Sequence, residues 1–273
     1  MSIARSALLK DLQNLLRQLE ADLLERSNSV EIPEIGLRLR NAYDNAKKSE
    51  QTAQSYEEWR SLFIAQVAAA WVLTCVFVRF LEDNEIVNPP RIAGVGDRLT
   101  RARDEHELFF QERPTETDRE YLLSVFRDLA KLPVAGDVFG EGNGLWQIIN
   151  WLSGDAAGLL LQFFQRIDAN TGLLVHDFTD RDWDTRFLGD LYQDLSEAVR
   201  KQYALLQTPD FVESFILDRT LEPALNEFGL KDFKMIDPAC GSGHFLLGSF
   251  ARLLDRWQRS YPSQNVKIEF QGC

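Results

Sequence analysis

From Leu62 to Val78, 17 residues lying between Arg60 and Arg79, the chain carries no charge. A helix that is apolar on every side has to be covered, by lipid or by other protein. Seventeen residues lie at the short end of the roughly 17–25 that a membrane span requires, and Gln66 and Thr74 interrupt the run. Just before it, Ser55-Tyr56-Glu57-Glu58 has the form of a capping box, a hydroxyl and a carboxylate three residues apart that satisfy the first backbone N–H groups. The run is therefore read as the buried central helix of a helical domain, with Trp59, Phe63, Val67, Trp71 and Phe77 as its large apolar positions. It stops by Asp83-Asn84, ahead of Pro89-Pro90.

The residues around it supply what would cover such a helix. Leu8, Leu12, Leu15, Leu16, Leu19 and Leu23 recur at helical spacing among charged residues and predict an amphipathic first helix, not a signal peptide. Pro33 opens a stretch that reads as polar through Lys47 and Lys48. A second capping box, Thr117 to Glu120, starts a helix through Tyr121, Leu122, Val125, Phe126 and Leu129. Residues 136–144 hold four of the 16 glycines and read as a loop, and helical patterns return around 145–152 and 155–164. A hydrophobic fraction of 45%, with 18 Phe and 6 Trp, excludes wholesale disorder. The net charge of −12 argues against a surface that holds nucleic acid throughout, although a smaller basic groove fits within it. Cys75, Cys240 and Cys273 form neither a disulfide framework nor a C-x-x-C pair, which suits a reducing cytosol.

After residues 179–183 the pattern changes. A helix over 191–206 is broken at Gln207-Thr208-Pro209, and Phe211, Val212, Phe215, Ile216, Leu221 and Leu225 form another, closed by Gly229. Phe233-Lys234-Met235-Ile236 then reads as a short strand. It runs into Asp237-Pro238-Ala239-Cys240-Gly241-Ser242-Gly243 and a helix that buries Leu246, Leu247, Phe250, Leu253, Leu254 and Trp257. A strand that ends in a carboxylate and turns through small residues into a helix is the usual cofactor crevice of an open α/β sheet. A dinucleotide fingerprint would need a third glycine where Leu246 stands, and Gly-Lys-Ser/Thr occurs nowhere, so neither NAD nor ATP is indicated.

The string from Asp237 to Leu246 closely resembles motif I of the amino-methyltransferases that act on adenine N6 in DNA. The resemblance implies S-adenosylmethionine as cofactor. Gly241 and Gly243 would let the backbone approach its methionine part, Asp237 would lie near its ammonium group, and Pro238, Ala239, Cys240 and Ser242 would complete the turn. Cys240 is then a small lining residue and no nucleophile. Gln207-Thr208-Pro209-Asp210-Phe211-Val212 resembles the Tyr-Thr-Pro element, motif X, in which Thr208 and Pro209 would help hold the cofactor carboxylate, with Gln207 in place of the aromatic. Taken alone, Thr-Pro is also an ordinary helix start. The lead-in at 187–196 is similar to that of large restriction-modification methyltransferases. The stretches Phe80-Leu81-Glu82-Asp83-Asn84, His106-Glu107-Leu108 and 174–180 resemble the adenine-specific DNA methyltransferases of BREX phage-resistance systems, particularly the type 2 form.

That family also uses a motif IV, Asn/Asp-Pro-Pro-Tyr/Phe, to grip an extruded adenine. Here Asn88-Pro89-Pro90-Arg91 ends in Arg and precedes motif I, so it reads as a helix stop, and no catalytic residue is assigned. Residues 266–270 read equally as a second strand or as part of a divergent or frameshifted tail. His106-Glu107 lacks a second His and reads as a solvated helix face, and Asp180, Asp182 and Asp184 lack the rest of a calcium loop, so no metal site is expected. The expected fold is mainly α: a helical N-terminal domain at 1–185, then the truncated start of a Rossmann-like α/β S-adenosylmethionine-dependent methyltransferase domain at 186–273. The implied function is the N-terminal portion of a site-specific DNA adenine-N6 methyltransferase of phage defence, cytoplasmic and inactive alone. It would meet DNA through regions outside this chain, and other phage-defence proteins, with no membrane. The alternative is a non-catalytic helical scaffold of a defence complex.

Overall fold

The uncharged run forms the middle of a 28-residue helix, Tyr56–Asp83, in a computed structural model that describes residues 5–132, 136–139, 151–180, 191, 194–195, 208, 210–240 and 243–262. The chain divides into two units, Met1–Tyr203 and Ala204–Cys273. In chain order the first contains α1 (Arg5–Ser27), α2 (Pro33–Lys48), α3 (Tyr56–Asp83), α4 (Asp97–Glu112), α5 (Asp118–Leu129), α6 (Gly136–Phe139) and α7 (Gly154–Phe164). The second contains α8 (Asp210–Arg219), α9 (Leu221–Phe228) and α10 (His244–Ser260).

Helix α3 starts with the expected capping box: Ser55 Oγ accepts from the Glu58 N–H at 3.3 Å, and a Glu58 carboxylate oxygen accepts from the Ser55 N–H at 3.0 Å. It is long and apolar enough to cross a bilayer, yet most of the run is covered by the helices of its own unit. The leucine stripe of α1 is buried along its whole length and packs on α3, while α2 and α7 add further cover. Trp71, fully buried, lies 5.7 Å from Phe126 of α5, ring centre to ring centre. Cys75 is buried among these residues, and burial pushes its thiol pKa far above the ordinary value, so it behaves as a small apolar filler.

Three local readings are corrected. Residues 33–48 are helical: Ile35, Leu39 and Tyr43, four apart, make a narrow buried stripe, and the charged residues between them face outward. Gly136–Phe139 is a helical turn within the supposed loop, because Phe139 buries its ring against Phe77 and Phe126 at 5.5 and 6.4 Å. The helix expected from Phe211 to Leu225 is two helices. Pro223 cannot donate to the Arg219 carbonyl and its ring would clash with that group, so the chain breaks at Thr220. The mainly α class is observed. Residues 233–236 form no ladder among the described residues, since a strand requires a neighbour, and residues 266–270 lie outside them.

The last turn of α3 is polar and closed to solvent, with Arg79, Glu82 and Asp83 at 0, 1 and 6% exposure. Arg79 donates to Asp83 Oδ2 at 2.6 Å and to the Phe164 carbonyl at 2.7 Å, beneath the Phe178 ring. Asp83 Oδ2 also accepts from the Phe178 N–H at 2.8 Å. Glu82 accepts from the backbone N–H groups of Arg91, Ile92 and Ala93 at 2.5, 2.9 and 3.0 Å. Asn84 donates to the Phe178 carbonyl and accepts from the Asp180 N–H. One helix end, which holds the stretch 80–84 singled out in the sequence, thus fastens segment 91–93 and the chain that runs on from the end of α7 through 174–180, a second such stretch.

Removing one partner of a buried ion pair strands the other, at a cost of about 3–5 kcal/mol. Arg79→Ala should therefore lower unfolding free energy by that order in urea titrations, and a loss below about 1 kcal/mol, the level of a surface pair, would refute the buried role. Burial pushes the Glu82 carboxyl up to about 7 despite its three N–H donors and Arg79. Because the folded value lies above the unfolded one, its contribution is present at low pH and is lost as pH rises towards 7. Relative to Glu82→Gln, the wild-type chain should gain stability as pH falls from 7 to 4.5. Parallel unfolding profiles would show that Glu82 titrates normally.

Candidate cofactor-binding turn

Helix α9 ends at Gly229, in the left-handed region at φ 80°, with its N–H bonded to the Leu225 carbonyl. The chain reverses, and Phe233 packs onto the apolar cluster of Leu217, Leu221 and Leu225, which anchors the segment leading to Asp237. Asp237 Oδ1 then accepts from the Ala239 N–H at 3.1 Å, a side-chain bond that starts the turn. Its other oxygen, Oδ2, is buried and has no hydrogen-bond partner among the described residues. The turn closes where the Gly243 N–H meets the Cys240 carbonyl at 2.7 Å, and Gly243 itself adopts φ 81°, ψ 16°. The space around its missing side chain is open, so the backbone angle and not crowding calls for glycine. Its carbonyl accepts from the Leu247 N–H at 2.8 Å, which starts α10.

Asp237, Cys240 and Gly243 are thus brought into one tight turn at the head of α10, with Pro238, Ala239 and Cys240 exposed. Thr208 is half-buried and lies two residues before α8, and α8 packs against α10. Pro209, Gly241 and Ser242 lie outside the described residues. Chemically, the turn presents an unpaired carboxylate oxygen beside the N-terminus of a helix. The first suits a cationic N–H donor, and the second suits an anion.

Elsewhere the candidate residues serve the fold. His106 is no solvated face: its Nε2 lies 2.6 Å from Asp118 Oδ1, and its ring meets Tyr121 edge-on at 4.6 Å, joining α4 to α5. His176 stacks on Phe163, contacts Asp11 at 3.1 Å, and has its pKa lowered mainly by burial. Among the described residues no three His, Cys, Asp or Glu side chains could share a metal ion. Asn88-Pro89-Pro90-Arg91 follows α3, and Arg91 is used structurally, with its N–H on Glu82 and its guanidinium 3.7 and 3.3 Å from Glu105 and Asp128.

Two residues that the motifs did not flag meet each other where α8 packs on α10. Glu213 is buried against α10, and Gly248 lies opposite it. Gly248 did leave a signal, because an isolated glycine inside a helical pattern costs about 1 kcal/mol and implies a packing reason.

Comparison with known proteins places the chain beside a curated adenine-specific methyltransferase. That relative is PglX of Streptomyces coelicolor, 45% identical over 273 aligned residues, which cover 97% of this chain and 22% of PglX. The resemblance to adenine-specific methyltransferases is therefore shown along nearly the whole chain, which spans about a fifth of the length of the relative it matches. No family model matches, and no solved structure does.

An alanine at position 243 would have to occupy the left-handed region at a cost of about 1–2 kcal/mol. Gly243→Ala should consequently speed amide hydrogen exchange in the first turn of α10 by about fivefold or more, with exchange in α3 unchanged. Equal protection in both proteins would mean that the turn does not need its glycine.

Proposed function

We propose that the chain carries the S-adenosylmethionine-binding start of a Rossmann-like DNA adenine-N6 methyltransferase, with the first unit as its helical domain. The observation that carries this reading is Asp237 Oδ2, buried without a hydrogen-bond partner among the described residues, in a turn closed by Gly243. The methionine end of the cofactor bears an ammonium and a carboxylate on one carbon. Asp237 would take the ammonium, Thr208 and Pro209 would lie by the carboxylate, and the backbone at Gly241, Ser242 and Gly243 would come close, with Pro238, Ala239 and Cys240 lining the turn. When bound, the cofactor supplies a methyl group activated by its sulfonium. This chain's own residues hold and orient it.

The α/β reading is supported by apolar side chains that a sheet would cover. Phe211 and Ile236 are 75 and 74% exposed, and Phe215, Leu246 and Leu247 are exposed as well. The 45% identity to an adenine-specific methyltransferase supports adenine as the acceptor, and DNA as the substrate class follows from motif I. Membership of a phage-defence system, other defence proteins as partners, and a cytoplasmic setting complete the proposal. They rest on the resemblance of the N-terminal stretches and on the cysteine usage. No residue here is assigned to gripping the base, since Asn88-Pro89-Pro90-Arg91 lacks the aromatic and Arg91 is engaged in packing.

Calorimetry with S-adenosylmethionine should give micromolar binding that Asp237→Ala weakens at least tenfold without loss of helicity. With labelled cofactor and DNA, the chain alone should transfer no methyl group. Absence of binding by the unaltered chain would overturn the cofactor reading and leave a helical interaction module.

A further inference from the structure

Helix α10 meets α8 and α9 with one glycine and two arginines. Gly248, Arg252 and Arg256 are four residues apart and share a face. Opposite Gly248 lies Glu213 of α8, 6% exposed and so close that a Cβ at position 248 would sit 1.8 Å from its Oε1 and 2.8 Å from its Cδ. Its Oε2 is buried with no hydrogen-bond partner among the described residues. One turn on, Arg252 donates to Asp218 Oδ1 at 2.5 Å and to Ser214 Oγ at 3.0 Å, and it reaches Glu222 Oε1 at 3.4 Å. A turn further, Arg256 donates to Asn226 Oδ1 at 2.6 Å and lies 3.8 Å from Glu222 Oε2.

These contacts differ in kind from the apolar cluster of Leu217, Leu221, Leu225 and Leu253 in the same unit. Apolar burial holds helices together without strongly fixing how far one slides along the other. A carboxylate seated on a glycine, followed by an arginine fork spanning three acceptors, admits one register. The register matters at the helix heads. Gly248 is five residues from Gly243, and Glu213 is five from Thr208. A slip of one residue moves Thr208 by about 1.5 Å relative to the turn, and misplacements of about 1 Å are costly in a preorganised site.

We propose that Glu213, Gly248 and Arg252 are positioning residues of the cofactor site, holding Thr208 in register with the Asp237–Gly243 turn. This inference rests on the cofactor reading above and adds to it the residues that set the geometry. A glycine in mid-helix is then explained, since any side chain there would drive α8 away. An arginine at 252 is explained too, since a lysine has no planar fork to span Asp218 and Ser214 together.

The test is calorimetry of the full chain with S-adenosylmethionine and S-adenosylhomocysteine. Arg252→Ala and Gly248→Ala should each weaken binding of both at least tenfold, with circular dichroism unchanged. Arg252→Lys, which keeps the charge and folds with Asp218 still engaged, should recover part of the loss. Thr208→Ala should cost several-fold in the unaltered chain and little on top of Arg252→Ala, because the threonine is already out of place. Unchanged affinity in the Arg252 and Gly248 variants, or fully additive losses with Thr208→Ala, would overturn the positioning role while leaving the cofactor reading intact. Failure of the unaltered chain to bind either compound would overturn both and leave the ladder a helix clasp.

Discussion

The first unit depends on a charge taken out of water. Arg79 carries its guanidinium to the inner end of a helix that is otherwise apolar, and Asp83 and two backbone carbonyl contacts receive it there. Desolvating such groups offsets most of what their attraction yields, and Arg79 Nε and Asp83 Oδ1 have no hydrogen-bond partners among the described residues. The arrangement therefore serves specificity more than stability. Leucine, valine and alanine alone would bury α3 in several rotations, whereas Arg79, Glu82, Asp83 and Asn84 permit only the one in which segments 91–93 and 164–180 meet them.

The second unit repeats the logic with other groups. Its apolar cluster is small, and much of its apolar surface is exposed. Directional contacts along α10 hold α8 and α9 in place, and the glycine turn at the head of that helix inherits its position from them. A buried carboxylate oxygen without a partner is tolerable in such a turn because a ligand bearing an N–H donor would satisfy it. In the cofactor site proposed above, the link from packing to function would run through register: the motif residues would supply the chemistry, and the helix faces behind them would decide where that chemistry sits.

Much of this was legible in the chain. The leucines of α1, the capping boxes at Ser55 and Thr117, and the glycine turn after Asp237 are local patterns whose physics is complete within a few residues. Helix α2 was hidden because its buried stripe is only Ile35, Leu39 and Tyr43 amid charges. Of helix α4, only the face at His106-Glu107 is legible, because Leu99, Ala102 and Phe109 are its buried positions amid charges. Pro223 marked the break at Thr220 but was outweighed by a continuous apolar period. Within the candidate site, the turn and Thr208 were read from motifs. Glu213 was not, because nothing in a single sequence says that it faces a glycine 35 positions later, by the difference 248 − 213.

The sequence by itself determined which segments would be helical wherever caps and periodicity agree, that one helix had to be buried, and that a glycine turn resembling motif I of adenine methyltransferases follows residue 236. Those properties depend on neighbours within a turn or two of helix. Only the tertiary structure decided that Arg79 is an internal clamp and not the solvated end of an apolar run. It also showed that His106 is a joint between two helices and that Gly248 is a seat for Glu213. Each depends on atoms brought together from 12 to 97 residues away, and the energy of a buried charge or a missing side chain is set by what lies across the contact.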